Sequence, residues 1–91
     1  FLGVNLYKVE LQSAVLNGAD FRGCDMECAD LRGAIFVGSN LSNAKMQGIN
    51  ASPLVFGGGS TSRKFSPCNF EDAKIRYSDL KNAMLKSAIF K

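Results

Sequence analysis

The chain has 91 residues, of which 46% are apolar and 21% are charged, and its formal net charge is +3. A chain of this length forms one domain with a modest core, and no apolar run approaches the roughly 20 residues that span a bilayer, so we expect no membrane segment. Histidine is absent, which excludes histidine-based catalysis and most zinc sites. The basic excess is too mild to predict a nucleic-acid partner, and we expect none.

Large apolar residues recur at every fifth position along most of the chain. Counting from Phe1, eleven of the first twelve such centres are large and apolar, and a second series of five begins at Phe70. The residues two positions before the centres are mostly small, and seven of the nine glycines lie two positions after a centre. These glycines are Gly3, Gly18, Gly23, Gly33, Gly38, Gly48 and Gly58. The structural repeat is therefore a five-residue unit.

A period of five matches neither regular element. An α-helix requires apolar residues at a spacing near 3.6, and a long strand requires strict alternation. In this unit the small and the large residue are separated by one position, so they point to the same side of a short extended segment. The next two residues are expected to form a turn, where glycine supplies a positive φ. Repetition of this unit predicts stacked coils with a narrow, packed interior.

Several units carry a family signature. The units ADFRG, ADLRG, SNLSN and SDLKN resemble the pentapeptide-repeat family, whose consensus is A(D/N)LXX. The resemblance extends over residues 1–58 and 68–91. It implies an all-β fold, a right-handed quadrilateral β-helix in which four units, about 20 residues, complete one coil.

The two series of centres are out of phase, because Phe70 lies 14 positions after Phe56. The intervening segment is rich in Gly and Ser and ends in Pro67, a composition typical of a loop. We therefore expect a single domain over residues 1–91, with coils at 1–58, a surface loop at 59–67 and coils at 68–91, about four coils in all. Because the chain begins at Phe1 and not at Met, we expect a fragment of a longer protein.

The four units of each predicted coil give the molecule four sides, numbered one to four from the unit of Phe1. With the loop at 59–67, the units of Phe70 and Phe90 return to side one, where Ile89 points outward. Side four presents apolar residues to the outside. The residues that precede the centres of side four are Val15, Ile35, Val55 and Met84, and Val37 follows a centre on the same side. We predict that these five side chains form a stripe that contacts a protein partner or a flanking domain. The alternative is an exposed ladder of β-branched residues that favours strand geometry without a partner.

No group of residues predicts catalysis, metal binding or cofactor binding. Cys24 and Cys28 are separated by three residues, whereas metal and redox motifs have two. The Gly-rich stretch GGGSTSRK lacks the phosphate-binding pattern and no helix follows it. We therefore predict that the protein is not an enzyme and has no cofactor. The three unpaired cysteines and the lack of a signal segment favour a cytoplasmic location.

The sequence thus favours a non-enzymatic structural scaffold that presents its apolar side to another protein. Because an open coil edge invites pairing, we expect either flanking sequence to cap it or two chains to form an end-to-end homodimer. The resemblance leaves two alternatives. Some pentapeptide-repeat proteins inhibit gyrase, a topoisomerase, by imitating DNA, although this role calls for a long acidic rod. Others form the repeat module of BTB-type ubiquitin-ligase adaptors, which nothing in this sequence requires.

Overall fold

Each five-residue unit folds as a short extended segment followed by a two-residue turn. The computed structural model describes residues 1–57 and 63–91, and this conformation recurs along both ranges outside the insertion. The N–H that follows each turn donates to the carbonyl of the preceding centre, as Val9 does to Leu6 at 3.1 Å. The second turn residue has a positive φ, 58° at Lys8 and 68° at Gly18. Glycine recurs at this position because it adopts that conformation without strain.

Backbone hydrogen bonds join units that follow one another along the stack. The parallel bridges form four columns, which define the sides of the molecule. Side one contains Asp20, Asn40 and Lys74; side two contains Asn5, Asp25, Lys45 and Asp79; side three contains Glu10, Asp30, Asn50 and Met84; side four contains Val15, Ile35, Asn69 and Ile89. On side two, the N–H of Leu6 donates to the carbonyl of Asp25 at 2.6 Å. The fold is therefore a β-solenoid.

The outward residue of many units is Asp or Asn, and its side chain closes the turn of its own unit. In eight units its oxygen accepts a hydrogen bond from the backbone N–H two residues later, at 2.9 to 3.2 Å. The acceptors are Asn5, Asp20, Asp25, Asp30, Asn40, Asn50, Asn69 and Asp79. This bond satisfies a turn N–H and gives a physical reason for Asp or Asn in the repeat.

The residues at the small and large positions fill the interior. The largest fully buried side chains are Phe21, Phe36, Met26, Leu31, Leu41, Met46 and Ile49. Ala51 is the one small centre of the first series, and it is fully buried together with Ile49, two positions earlier. A large residue at the small position thus offsets a small residue at the large one, which keeps the interior packed.

Aromatic rings stack along two sides of the interior. On side four the rings of Phe36, Phe70 and Phe90 lie parallel, with centroids 5.2 and 5.0 Å apart. On side one Phe1 stacks on Phe21 at 5.0 Å, and Phe21 meets Phe36 edge to face at 5.5 Å. These contacts place Phe70 and Phe90 on side four, whereas the sequence had predicted them on side one.

The units after the insertion lie one side away from their predicted place. Ile35 pairs with Asn69 and Asn50 pairs with Met84, so a bridge across the insertion spans 34 residues, whereas Asn69 and Ile89 are 20 apart. The extra 14 residues are Leu54 to Pro67. The segment LVFGG, predicted as part of coils 1–58, instead begins the insertion. The predicted loop at 59–67 starts too late, and Gly58 and residues 59–62 lie outside the described residues.

The insertion forms a β-hairpin whose starting point has a local cause. Strand β1 (Leu54–Phe56) pairs antiparallel with strand β2 (Lys64–Ser66). Immediately before β1, Pro53 occupies the second turn position, where each of the other described units has a positive φ. The proline ring holds φ near −65°, so the usual turn cannot form there. The chain therefore leaves the solenoid at this corner and re-enters it at Cys68.

Candidate interaction site

The base of the hairpin packs on the corner between sides three and four. Gly33 is buried there, and a Cβ atom at this residue would lie 3.0 Å from Cβ of Leu54 and 3.3 Å from the carbonyl oxygen of Ser66. The first distance is shorter than most contacts that a Cβ atom makes, so Leu54 would have to shift to accept a side chain at this position. Gly33 thus lets the hairpin sit directly on the backbone of the solenoid, which fixes its position relative to the sides.

The two faces of the hairpin meet different surroundings. Residues directly opposite one another on paired strands share a face, so Val55 and Phe65 lie on one face and Leu54 and Ser66 on the other. Leu54 and Ser66 contact the corner at Gly33. Val55 and Phe65 are 44% and 63% exposed. The hairpin therefore presents one apolar face away from the contact that holds it.

A cleft of about 580 Å³ lies between this apolar face and the last units of the chain. Its apolar lining consists of Pro53, Val55, Phe65, Pro67 and Ile89. Lys86, Ser52 and Ser87 also line the cleft, and Lys86 is the one charged residue among the lining residues that the structure describes. A cleft of this size and composition can accommodate a small ligand or a few side chains of another protein.

The structure brings together only part of the predicted stripe. Val15 pairs with Ile35 on side four, and Val37 follows the centre of that side. Val55 lies in the hairpin, where it pairs with Phe65, and Met84 lies on side three, where it pairs with Asn50. The prediction that all five residues form one stripe is wrong, because the insertion begins at Leu54 and shifts the later units by one side. Their role in binding a partner stays a prediction.

Sequence reasoning missed three residues of the site. Phe65 was assigned to the loop, Ile89 to side one and Lys86 to no site, yet all three line the cleft. The signal that locates them was present in the sequence. Pro53 stands where the five-residue pattern requires a positive φ, and this mismatch marks the last turn before the insertion.

Positive charge surrounds the last units of the solenoid. The exposed residues Arg76, Lys81, Lys86 and Lys91 each follow a centre, one on each side. The two ion pairs among the described residues lie elsewhere, between Arg22 and Asp20 and between Arg32 and Asp30, each at 2.7 Å. Hydrogen bonds from the neighbouring arginine lower the pKa of Asp20 to about 2 and also lower the pKa of Asp30.

The three cysteines are free thiols, and two of them are buried in the interior. Cys24 and Cys68 are buried, and Cys28 is exposed. Burial raises the pKa of Cys68 to about 12, which keeps the thiol protonated and unreactive at neutral pH. Cys24 and Cys68 belong to different sides, since they precede Asp25 on side two and Asn69 on side four.

Two kinds of feature are absent from residues 1–57 and 63–91. No group of three or more His, Cys, Asp or Glu side chains in these ranges is arranged to hold a metal ion. In the same ranges there is no helix with the length and apolarity to cross a membrane.

The columns of parallel bridges and the repeated turns define the molecule as a β-solenoid repeat protein. The family described as pentapeptide repeats matches the sequence in eight copies, over residues 1–27, 14–50 and 64–91. The chain therefore belongs to the pentapeptide repeat family, which confirms the resemblance seen in its units. No curated protein sequence matches this chain.

Three solved structures of pentapeptide repeat proteins are similar in fold. Rfr23 from the cyanobacterium Cyanothece 51142 has a TM-score of 0.55 at 16% identity, over 98% of this chain and 55% of Rfr23. A protein of the Arabidopsis thaliana thylakoid lumen has a TM-score of 0.56 at 22% identity, over 99% of this chain and 60% of that one. HetL from Nostoc sp. strain PCC 7120, involved in the regulation of heterocyst differentiation, has a TM-score of 0.52 at 24% identity, over 98% and 37%. The chain thus spans 60% or less of each protein.

Proposed function

We propose that the protein is a non-enzymatic interaction scaffold in which the solenoid holds the hairpin β1–β2 outward as the contact element for a protein partner. The observation that carries this proposal is the exposure of Val55 and Phe65 on a hairpin whose base is seated on Gly33. An apolar element held on a rigid body loses little conformational entropy on binding, which favours association. The family consists in general of structural repeat proteins, in keeping with this role.

Side four extends the proposed contact surface. Ile35 follows Gly33 by two residues, and Val15 pairs with Ile35 and is 66% exposed. In many units an Asp or Asn at the same position caps the turn, and a valine or isoleucine gives up that hydrogen bond. Local structure therefore does not favour these apolar residues, whereas exposed apolar patches commonly mark sites of protein interaction. The surface proposed here combines Val15, Ile35 and Val37 with the hairpin.

A comparison of three forms of the chain tests this proposal. The immobilised chain, the double variant Val55→Lys with Phe65→Lys and the control Tyr77→Lys are each exposed to cell extract, and the captured proteins are quantified by mass spectrometry. Tyr77 is exposed and lies outside the hairpin. We expect a partner to be lost from the hairpin variant alone, and calorimetry with that purified partner to show the same difference. Equal binding by all three forms would contradict the proposal.

Four finer expectations belong to the same proposal. The winding is right-handed with about four coils, as the family resemblance implies. The partner is a separate protein or a flanking domain of the same chain, and an end-to-end homodimer covers the open coil edges where no flanking sequence does. A cytoplasmic location suits the free thiols. The ring of basic residues on the last units disfavours imitation of DNA, and nothing in the described residues favours the role in a ubiquitin-ligase adaptor.

A further inference from the structure

We infer that the cleft beside the hairpin is a binding site for a small amphiphilic anion, an apolar chain or ring that ends in one carboxylate. The inference goes beyond the proposed scaffold function and does not depend on it. It stands on three features: apolar walls, a single positive charge among the described lining residues, and a backbone N–H of that same lysine that no side chain caps.

The walls of the cleft suit an apolar body. Val55 and Phe65 of the hairpin form part of the lining, with Ile89 of side four. Two further lining residues are Pro53 and Pro67, which have no backbone N–H to offer to an extended peptide. The volume of about 580 Å³ lies within the range of small-molecule sites. These properties favour a small apolar ligand over a peptide strand.

The charge of the lining selects an anion. Within residues 1–57 and 63–91, eight residues line the cleft; Lys86 is the one ionisable side chain among them, and none of them is a carboxylate. Neither of the two ion pairs among the described residues involves Lys86. An ammonium group at the edge of an apolar cleft stabilises a ligand carboxylate through a charge-assisted hydrogen bond.

The backbone at Lys86 lacks a bond that other units make. On side two the carboxylate of Asp79 accepts a hydrogen bond from the N–H of Lys81 at 3.0 Å. In the unit of Lys86 the corresponding outward residue is Met84, whose side chain has no oxygen, and no described residue accepts from the N–H of Lys86. A ligand carboxylate at this position would accept both from that N–H and from the ammonium group. It would take the place that an aspartate takes in other units.

A titration of the chain with decanoate, below the concentration at which it forms micelles, tests the inference. We expect NMR shift changes to be confined to the cleft, at the methyl groups of Val55 and Ile89 and at the amide of Lys86. Because a hydrogen bond to a charged group stabilises more than a neutral one, decanoate should bind about tenfold or more tightly than decanol. Equal affinities for both ligands, scattered shift changes or the absence of binding at millimolar decanoate would each overturn the inference.

Three substitutions sharpen the test. Lys86→Gln should weaken decanoate binding by about tenfold and leave decanol unchanged, whereas the control Lys81→Gln, at the equivalent position on side two, should change neither. Met84→Asp supplies a carboxylate from the chain itself and should abolish the preference for decanoate over decanol. Unchanged amide spectra away from the cleft verify that the variants fold. An undiminished preference in Lys86→Gln, or tighter binding of an acidic peptide than of decanoate, would show that the ligand class is wrong.

Discussion

Removal of the hairpin tests the path of the chain through the insertion. In the variant that lacks residues 54–67, Pro53 is joined directly to Cys68, and the five-residue pattern continues without interruption. We combine this deletion with Pro53→Gly, because the restored corner requires the positive φ found at the equivalent turns. The matched control carries the same deletion and keeps Pro53. The two variants differ in one residue only.

The structure sets the expected free energies of unfolding. Most of the described residues of the hairpin are exposed, and half-burial of Leu54 contributes about 1 kcal/mol. Closing a loop of this length costs about 2 kcal/mol, which the deletion returns. The glycine variant should therefore be as stable as the parent to within about 1 kcal/mol. A proline forced into this turn should cost about 3 kcal/mol or more.

Thermal unfolding followed by circular dichroism distinguishes these outcomes. For a domain of this size, a loss of about 3 kcal/mol lowers the midpoint by more than about 12 °C. We expect the variant with Pro53 to show this loss and the glycine variant to melt within a few degrees of the parent. Equal midpoints for both variants, or a glycine variant that fails to fold, would refute the assignment of Pro53 to the last corner before the insertion.

Three further predictions concern single sites. Gly38→Ala should lower the free energy of unfolding by about 1 kcal/mol because of its positive φ alone, and Gly33→Ala should lower it by about 1 kcal/mol more because its Cβ meets Leu54. The difference between the two substitutions should vanish in the deletion variant. Persistence of the difference in urea unfolding of that variant would contradict the packing described. Val15→Asn should raise the unfolding free energy by about 0.5 kcal/mol by capping its turn, and a fall would show that the exposed valine stabilises the strand. The pKa of Asp20 is about 2, below its ordinary value of 3.8, so its stabilising contribution is present above pH 3.8 and is lost as the pH falls toward 2. An NMR titration should find this pKa raised in Arg22→Gln. An unchanged pKa in that variant would exclude the arginine as the cause.

The sequence predicted the inward residues more securely than the outward surface. Outside the hairpin, the large and small residues of the five-residue series point to the interior, and this pattern depends only on local alternation and turns. Phe21 and Phe36 were placed inward correctly, and both are fully buried. The turn positions were also predicted, because a glycine two residues after a centre indicates a positive φ.

The sides on which the units after the insertion lie were harder to predict, because they depend on the number of residues in the insertion. Phe56 continues the apolar series by its spacing, so it was taken as a centre, yet it is half exposed in the hairpin. Because of that single assignment, Met84 was predicted on side four, whereas it lies on side three. Proline at position 53 contradicts the repeat locally, and this conformational conflict outweighs the apolar match of Phe56. The cleft could not be predicted, since it depends on where a non-repeating hairpin folds.

The corner at Pro53 has a consequence for how this molecule can vary. The chain leaves and re-enters the solenoid at one edge, and the units on either side of the gap stack as if nothing separated them. The length of the insertion therefore does not affect the pairing and stacking of the other units. We expect insertions of other lengths and sequences to be tolerated at this edge, while the surrounding surface keeps its arrangement. Sequence changes in the insertion are therefore expected to leave the packing of the coils intact.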